Sequence, residues 1–422
     1  MKINHLQIQN FKGFENKEFH FDSNMNVLIG DNGSGKSSVL DAVAFVLGTF
    51  FLGVDGATPR ALKEHEKRRL MVAANSLEIQ LPFKISVNHT LNGKSYQWHR
   101  STDKAIGGAS SYKNARPLID IAKQMTAAVR AGTPINLPLI AYYGTARLAR
   151  EQHQKPAYKK QGSRLDGYYS ALDSSSLRRK FLEWFKTLED DKLKFNKNES
   201  LYNAFTNVIT EMIPEWTKIH FSWSLDDLIG QLNNERWVSF NMLSDGYQNI
   251  IRLAADIAYR AITLNPHLGS QAITQTAGVV LVDEIDMHLH PSWQKRIIAD
   301  LKRTFPNIQF IVTTHSPFIV QSLRTNELIN LDCASGETPF TKSLEEITET
   351  EMQVEQPRRS QQFLNMQQLA SDYFDLIQQG KTASTDETTQ KIKQQLDEIE
   401  LEFNQDPVFI ALMKAERKTE LK

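Results

Sequence analysis

NVLIGDNGSGKSSVLDAV, residues 26–43, reads as strand, tight loop and helix in immediate succession. Val27, Leu28 and Ile29 form a short apolar run, and Val39, Leu40, Val43, Ala44 and Leu47 then recur at helical spacing. Between them, Gly30-x-x-x-x-Gly35-Lys36-Ser37 has the spacing of a phosphate loop in the strand-to-helix setting that gives the pattern its meaning. Glycines let the backbone fold tightly enough for successive N–H groups to converge on an anion, and the helix amino terminus adds positive partial charge. The expected cradle is Gly30, Asp31, Asn32, Gly33, Ser34, Gly35, Lys36, Ser37 and Ser38. Lys36 is expected to bridge the β- and γ-phosphates of a nucleotide such as ATP, with the Ser37 hydroxyl completing a Mg²⁺ shell.

Working outward, a second apolar run, Gly278 to Val282, ends in Asp283 and Glu284. In an open α/β sheet a buried strand delivers its carboxyl end to the phosphate loop. Asp283 is therefore expected to meet the magnesium ion, and Glu284 to take a proton from an attacking water. His315 lies 31 residues beyond Glu284, just after another buried strand, Ile308 to Thr313, and is placed on the rim of the γ-phosphate site. Ser244 and Gly246 open a long helix reaching about Leu264, offering a hydroxyl and free N–H groups to an anion.

The rest of the chain bounds the class. Its 422 residues allow two or three domains, and 49 basic residues cancel 49 acidic ones, so any binding to nucleic acid must come from a local patch. Forty-one per cent apolar residues, with 22 Phe and 6 Trp, exclude global disorder. The single cysteine, Cys333, excludes an internal disulfide framework and fits a reducing cytoplasm. MKINHLQIQNF reads as a strand without a signal-peptide apolar segment, and the uncharged stretch Ala261 to Val282 is too interrupted to span a bilayer. Alternation over residues 77–100 around Asn92-Gly93 predicts a β-hairpin, and Leu137 to Tyr143 a buried strand. Residues 150–215 read as mainly helical, and Ile219 to Trp223 and Trp237 to Phe240 as strands.

These motifs resemble the ATPase heads of the RecF and SMC group. The matching words are IQNFKGF, NVLIGDNGSGKSSVLDAV, NMLSDGYQNI, VVLVDEIDMHLHP and IQFIVTTHSPFIV. The combination is similar to a bacterial subgroup of stand-alone ATPases that includes those of Septu anti-phage systems and some retrons. The resemblance implies an α/β, ABC-type head: a P-loop NTPase with a mixed sheet core and an antiparallel β-subdomain, a helical insertion and a C-terminal helical extension. The expected division is 1–150 and 216–332 for the two halves of the head, 151–215 for the insertion, 333–360 for a linker and 361–422 for the C-terminal helices. It further implies that Leu243-Ser244-Asp245-Gly246-Tyr247 is the signature motif, closing on ATP bound by a second copy. Asp245 and Tyr247 depart from the usual residues there. Asp286 takes the D-loop place and should face the opposite protomer, although with His288 and His290 it also reads as a metal cluster. Lys12 stands where such heads often carry a basic residue near the nucleotide. No glutamine occupies the Q-loop after Tyr143, so Arg147 substitutes or Gln152 reaches.

Two surfaces remain. From Arg147 to Arg164 the chain carries Arg147, Arg150, Lys155, Lys159, Lys160 and Arg164 against Glu151, a local charge of about +5 suited either to a nucleic-acid backbone or to a solvated face. The apolar residues of 361–422 either pack on the head or dock a partner. The Septu resemblance implies a separate HNH nuclease regulated by ATP binding. In this sequence no HNH constellation appears, and the hundred or so residues after His315 lack the acids of a Toprim site. The alternatives are a RecF-like DNA-binding ATPase of genome maintenance and a nucleotide sensor that does not turn over. A transporter subunit does not fit, because no membrane segment is read.

Overall fold

The computed structural model describes residues 1–73, 76–105, 110–148, 162–173, 180–195, 197–333, 339–354, 361–381 and 386–403. The chain opens with β1 (Lys2–Phe11), β2 (Phe14–His20) and β3 (Met25–Ile29), followed by α1 (Lys36–Phe51). A two-stranded ribbon, β4 (Arg69–Ala73) and β5 (Ser76–Ile79), precedes the hairpin β6 (Phe83–Leu91) and β7 (Lys94–Thr102). Then come α2 (Arg116–Arg130), β8 (Leu139–Tyr143), α3 (Lys180–Phe195) and α4 (Glu199–Met212). A three-stranded antiparallel sheet follows, built from β9 (Trp216–Ser222), β10 (Asp227–Leu232) and β11 (Trp237–Ser239). The long helix α5 (Asp245–Leu264) leads to β12 (Gly278–Val282), β13 (Ile308–Thr313) and β14 (Leu328–Asn330).

The central sheet is wholly parallel, in the order β14-β3-β13-β12-β8. Every residue of β3, β8, β12 and β13 is buried, as expected of strands covered on both faces. Parallel strands place all their carboxyl ends along one edge, which brings residues 30, 144, 283 and 314 together from distant parts of the sequence. The antiparallel strands form a separate sheet, β2-β1-β6-β7, whose inward residues Leu6, Ile8, Ile85, Val87 and Trp98 are buried. Helix α1 packs against β1 and β6 on one side and β12 and β13 on the other, so nearly all its residues are buried. Phe45 of α1 meets Phe83 edge-on at 5.6 Å, and the Arg100 guanidinium lies 3.9 Å from the Phe45 ring centroid.

Strands β2 and β10 were not legible in sequence. β2 holds only two apolar residues, because it is an edge strand with one face in water. The stretch 333–360, expected to be a linker, contains a helix, Leu344–Thr350, whose Ile347 is fully buried. The chain divides into two compact units, Met1–Ile347 and Thr348–Lys422. In the second, helices Gln361–Gln378 and Glu387–Phe403 meet through Ala370, Tyr373 and Leu396. The helix expected from Asp406 lies outside the described residues. Among the described residues no helix is long and apolar enough to cross a membrane.

One buried histidine gives the fold a pH dependence. His89 on β6 has no exposed surface and accepts a hydrogen bond from Trp98 Nε1 at 3.1 Å. Burial, assisted by the nearby amino terminus, lowers its pKa from 6.5 to about 4. Below pH 6.5 the unfolded chain takes up this proton while the folded chain resists it, so stability falls as the pH drops toward 4. The expected loss is about 3 kcal/mol. Urea unfolding measured between these pH values should show it, and His89→Gln should remove that part of the slope.

Candidate nucleotide site

The loop between β3 and α1 is shaped by positive φ at Gly30, Gly33 and Gly35. Gly35 is required twice over: its φ is 102°, and a Cβ there would lie 2.5 Å from the Phe14 ring. Beside the loop opens a cleft of about 260 Å³, lined by Asn32, Gly33, Gly35, Lys36, Ser37, Ser38, Asp283, Glu284, Thr313 and His315. Thus the phosphate loop, both carboxylates after β12 and the histidine after β13 meet at one place. Lys36 Nζ donates to Gly30 O at 2.7 Å and Asp31 O at 2.8 Å. Burial lowers its pKa, opposed by the carboxylates of Asp332, Asp31, Asp283 and Glu284.

Ser37 Oγ donates to Asp283 Oδ1 at 3.1 Å. Two hard oxygens at that separation fit neighbouring positions on an octahedral Mg²⁺, whose ligand distances of about 2.0–2.1 Å set adjacent oxygens roughly 3 Å apart. Thr313 is a residue that motif reading missed. Its hydroxyl donates to Asp283 Oδ1 at 2.6 Å and accepts from Glu284 N at 2.7 Å, so the end of β13 holds both acids. Glu284 has φ 48°, a left-handed conformation that costs a non-glycine residue on the order of 1–3 kcal/mol and concentrates at functional sites. Asp332 was also missed. It accepts from Asp31 N at 2.5 Å and sits against Gly30, and nothing in its local sequence announces it.

Arg147 is buried and so is not part of an exposed basic surface. Offered as a Q-loop substitute and as part of a nucleic-acid surface, it is 3% exposed and absent from the cleft lining. Its guanidinium donates to Asp283 O at 2.5 Å, Glu284 O at 2.8 Å, Gly144 O at 3.1 Å and Asn249 Oδ1 at 3.0 Å. Burial lowers its pKa to about 10. It is a brace behind the two acids. Arg164, at the other end of the basic segment, is likewise turned inward onto Leu264 O, Thr133 O and Ile135 O. Arg150, Gln152, Lys155, Lys159 and Lys160 lie outside the described residues.

Lys12, expected near the nucleotide, is not among the residues that line the cleft. Asp41, one turn beyond Ser37 on α1, captures its ammonium, and Arg60 and Glu66 complete the ion cluster. The signature segment stands apart from the cleft: none of residues 243–247 is among its lining. Ser244 is the exposed N-cap of α5 and its side chain makes no capping bond. Gly246 permits close approach, since a Cβ there would lie 2.4 Å from His288 O. Tyr247, one of the two departures, packs edge-on against Trp293 at 4.7 Å. Asn249 of α5 donates to Met287 O at 3.1 Å and accepts from Arg147, which ties the signature helix to the backbone of Asp283 and Glu284. Asp286 accepts from Thr314 Oγ1 at 2.6 Å within its own chain, and Asp286, His288 and His290 do not converge as metal ligands.

A model of the RecF/RecN/SMC N terminal domain matches residues 2–336. The chain is 26% identical to the Retron Vc95 probable ATPase of Vibrio cholerae serotype O1 biovar El Tor, over 78% of this chain and 73% of that protein. It is 24% identical to the Septu protein PtuA of Bacillus thuringiensis, over 81% of this chain and 78% of that protein. The SMC head domain from Thermotoga maritima aligns at 16% identity with a TM-score of 0.45, over 78% of this chain and 94% of that one. The matched span contains every residue of the cleft, and the chain belongs to the RecF/RecN/SMC N-terminal domain family of ABC-type ATPases.

Proposed function

We propose that this chain is a magnesium-dependent ATPase that closes on ATP as a face-to-face dimer and so regulates a partner effector, an HNH nuclease, in cytoplasmic anti-phage defence. One observation carries the dimeric part: the cleft is lined by the phosphate loop, both acids and His315, whereas the signature helix start, with its uncapped Ser244, lies off that lining. A γ-phosphate held in the cleft would present its open side to a second copy. The retron and Septu relatives support the defence setting. The effector contact is assigned to the helices of 361–422, and the chain is proposed to cut nothing itself. The DNA-repair alternative is left with the lysines and Arg150 between 149 and 161, because Arg147 and Arg164 serve the fold.

In this reading Lys36 exchanges its two backbone carbonyls for β- and γ-phosphate oxygens, and the N–H groups of the loop hold the same anion. Magnesium held by Ser37 and Asp283 would neutralise phosphate charge. The Glu284 carboxylate orients water for in-line attack and accepts its proton, while Thr313 and Arg147 keep the residue in place. His315 faces the γ-phosphate from the rim.

Phosphate release and fluorescent-nucleotide titration test the assignment. Lys36→Ala should abolish nucleotide binding. Ser244→Arg should leave binding intact and eliminate hydrolysis; loss of both would mean that Ser244 is only structural.

A further inference from the structure

The outer face of the antiparallel sheet carries a second cluster, none of whose residues lines the nucleotide cleft. In the β1–β2 pairing His5 stands opposite His20, and Gln7 opposite Glu18. Leu6 and Phe19, paired between them, point inward and are 0% and 3% exposed. A slip of one residue would bury the polar set and expose these two, so the register is locked. His5, Glu18 and His20 are therefore held on one solvent-facing surface. His5 Nε2 lies 3.3 Å from Glu18 Oε2, and the two imidazole centroids are 4.7 Å apart. One ligand atom from each of the three lies within 4.8 Å of the others, and among the described residues this is the one such convergence of His, Cys, Asp or Glu.

We propose that His5, Glu18 and His20 bind a divalent transition-metal ion of the zinc type. Zinc–nitrogen and zinc–carboxylate bonds of about 2.0–2.2 Å place two tetrahedral ligands roughly 3.3–3.5 Å apart, which the His5–Glu18 pair already matches. A histidine–glutamate hydrogen bond would account for two of the residues; the second imidazole beside them is what a metal site adds. Two imidazoles and one carboxylate suit zinc, copper or nickel, whereas magnesium at the phosphate loop calls for oxygen alone. Three protein ligands leave a coordination position for water or an added ligand. Next to His5 is a polar cleft of about 420 Å³ lined by Gln7, Ser86, Asn88, Gln97, His99 and Asn114. The ion would clip the edge strand β2 to β1. The opposite end of β2 carries Phe14, which covers Gly35 of the phosphate loop.

The test uses the full chain, stripped with chelator and titrated with zinc chloride by calorimetry. Cobalt(II) chloride, read by its visible d–d absorption, reports the coordination geometry in parallel. The expected result is about one equivalent of zinc and an intense cobalt band of four-coordinate type. His20→Ala and the gentler His20→Asn should each weaken zinc binding roughly tenfold or more, the scale on which even supporting groups matter at metal sites. His5→Ala should do the same, with circular dichroism confirming that each variant is folded. Magnesium-dependent ATP hydrolysis by His20→Asn should be unchanged in the absence of zinc. The proposal is overturned if the stripped chain takes up no stoichiometric zinc. It is also overturned if uptake is the same in the His5 and His20 variants, since other groups would then be responsible.

Discussion

Replacing Glu284 by glutamine should lower steady-state phosphate release by about 10²- to 10⁴-fold while leaving ATP binding in place. The substitution removes the proton acceptor and nothing that holds the nucleotide. Lys36, Ser37 and Asp283 keep their positions, because Asp283 is bonded to Ser37 at 3.1 Å and Thr313 at 2.6 Å and not to Glu284. The backbone bond from Glu284 N to Thr313 is retained in glutamine, so the loop need not shift. A variant that binds ATP without turning it over should accumulate in the closed state, and light scattering in ATP and magnesium should show the doubled mass. Native rates in the variant would mean that the water is activated elsewhere. A native protein releasing no phosphate above the variant would favour the sensor reading.

Arg147→Met should have the second large effect, and by a different route. The native guanidinium satisfies four acceptors that come from the loop after β8, from Asp283 and Glu284, and from α5. Each buried acceptor left unpaired costs about 1–3 kcal/mol, so stability should fall by several kcal/mol. Where the variant is studied at low temperature and is folded, turnover should drop more than nucleotide affinity, because the brace supports Glu284 and α5 and touches no residue of the phosphate loop. Arg147→Lys should restore little, since one ammonium cannot span the fork. A variant with native melting temperature and native kcat would refute the bracing role. The same connection gives a physical reason for a signature helix to sense the acids: Asn249 holds Met287 O with one side-chain atom and Arg147 with another.

What the sequence revealed depended on how far apart the cooperating residues lie along it. The phosphate loop was legible because its strand, glycines, lysine and helix are contiguous, and β12 and β13 because strands buried on both faces are continuous apolar runs. Arg147 was ambiguous because an arginine in a basic stretch carries no mark of burial; three of its four partners lie 102, 136 and 137 residues away. Asp332 was invisible, reaching Asp31 N across 301 residues. Thr313 was read as a strand residue, although its place one step before the Thr314-His315 pair at the carboxyl end of the central strand was the available signal. The ion pair of Lys12 with Asp41, on the helix the loop feeds, was hidden because 29 residues separate the two. The cross-strand cluster of His5, Glu18 and His20 required β2, an edge strand whose polar sequence concealed it.

A mixing experiment tests the shared site most directly. Lys36→Ala and Ser244→Arg proteins, each inactive alone, are combined in equal amounts and assayed for phosphate release. If each nucleotide is gripped by the loop of one copy and the signature of the other, half of the randomly formed pairs contain one intact composite site, and activity should recover to roughly a quarter of native. A mixture as inactive as its parents would contradict the account.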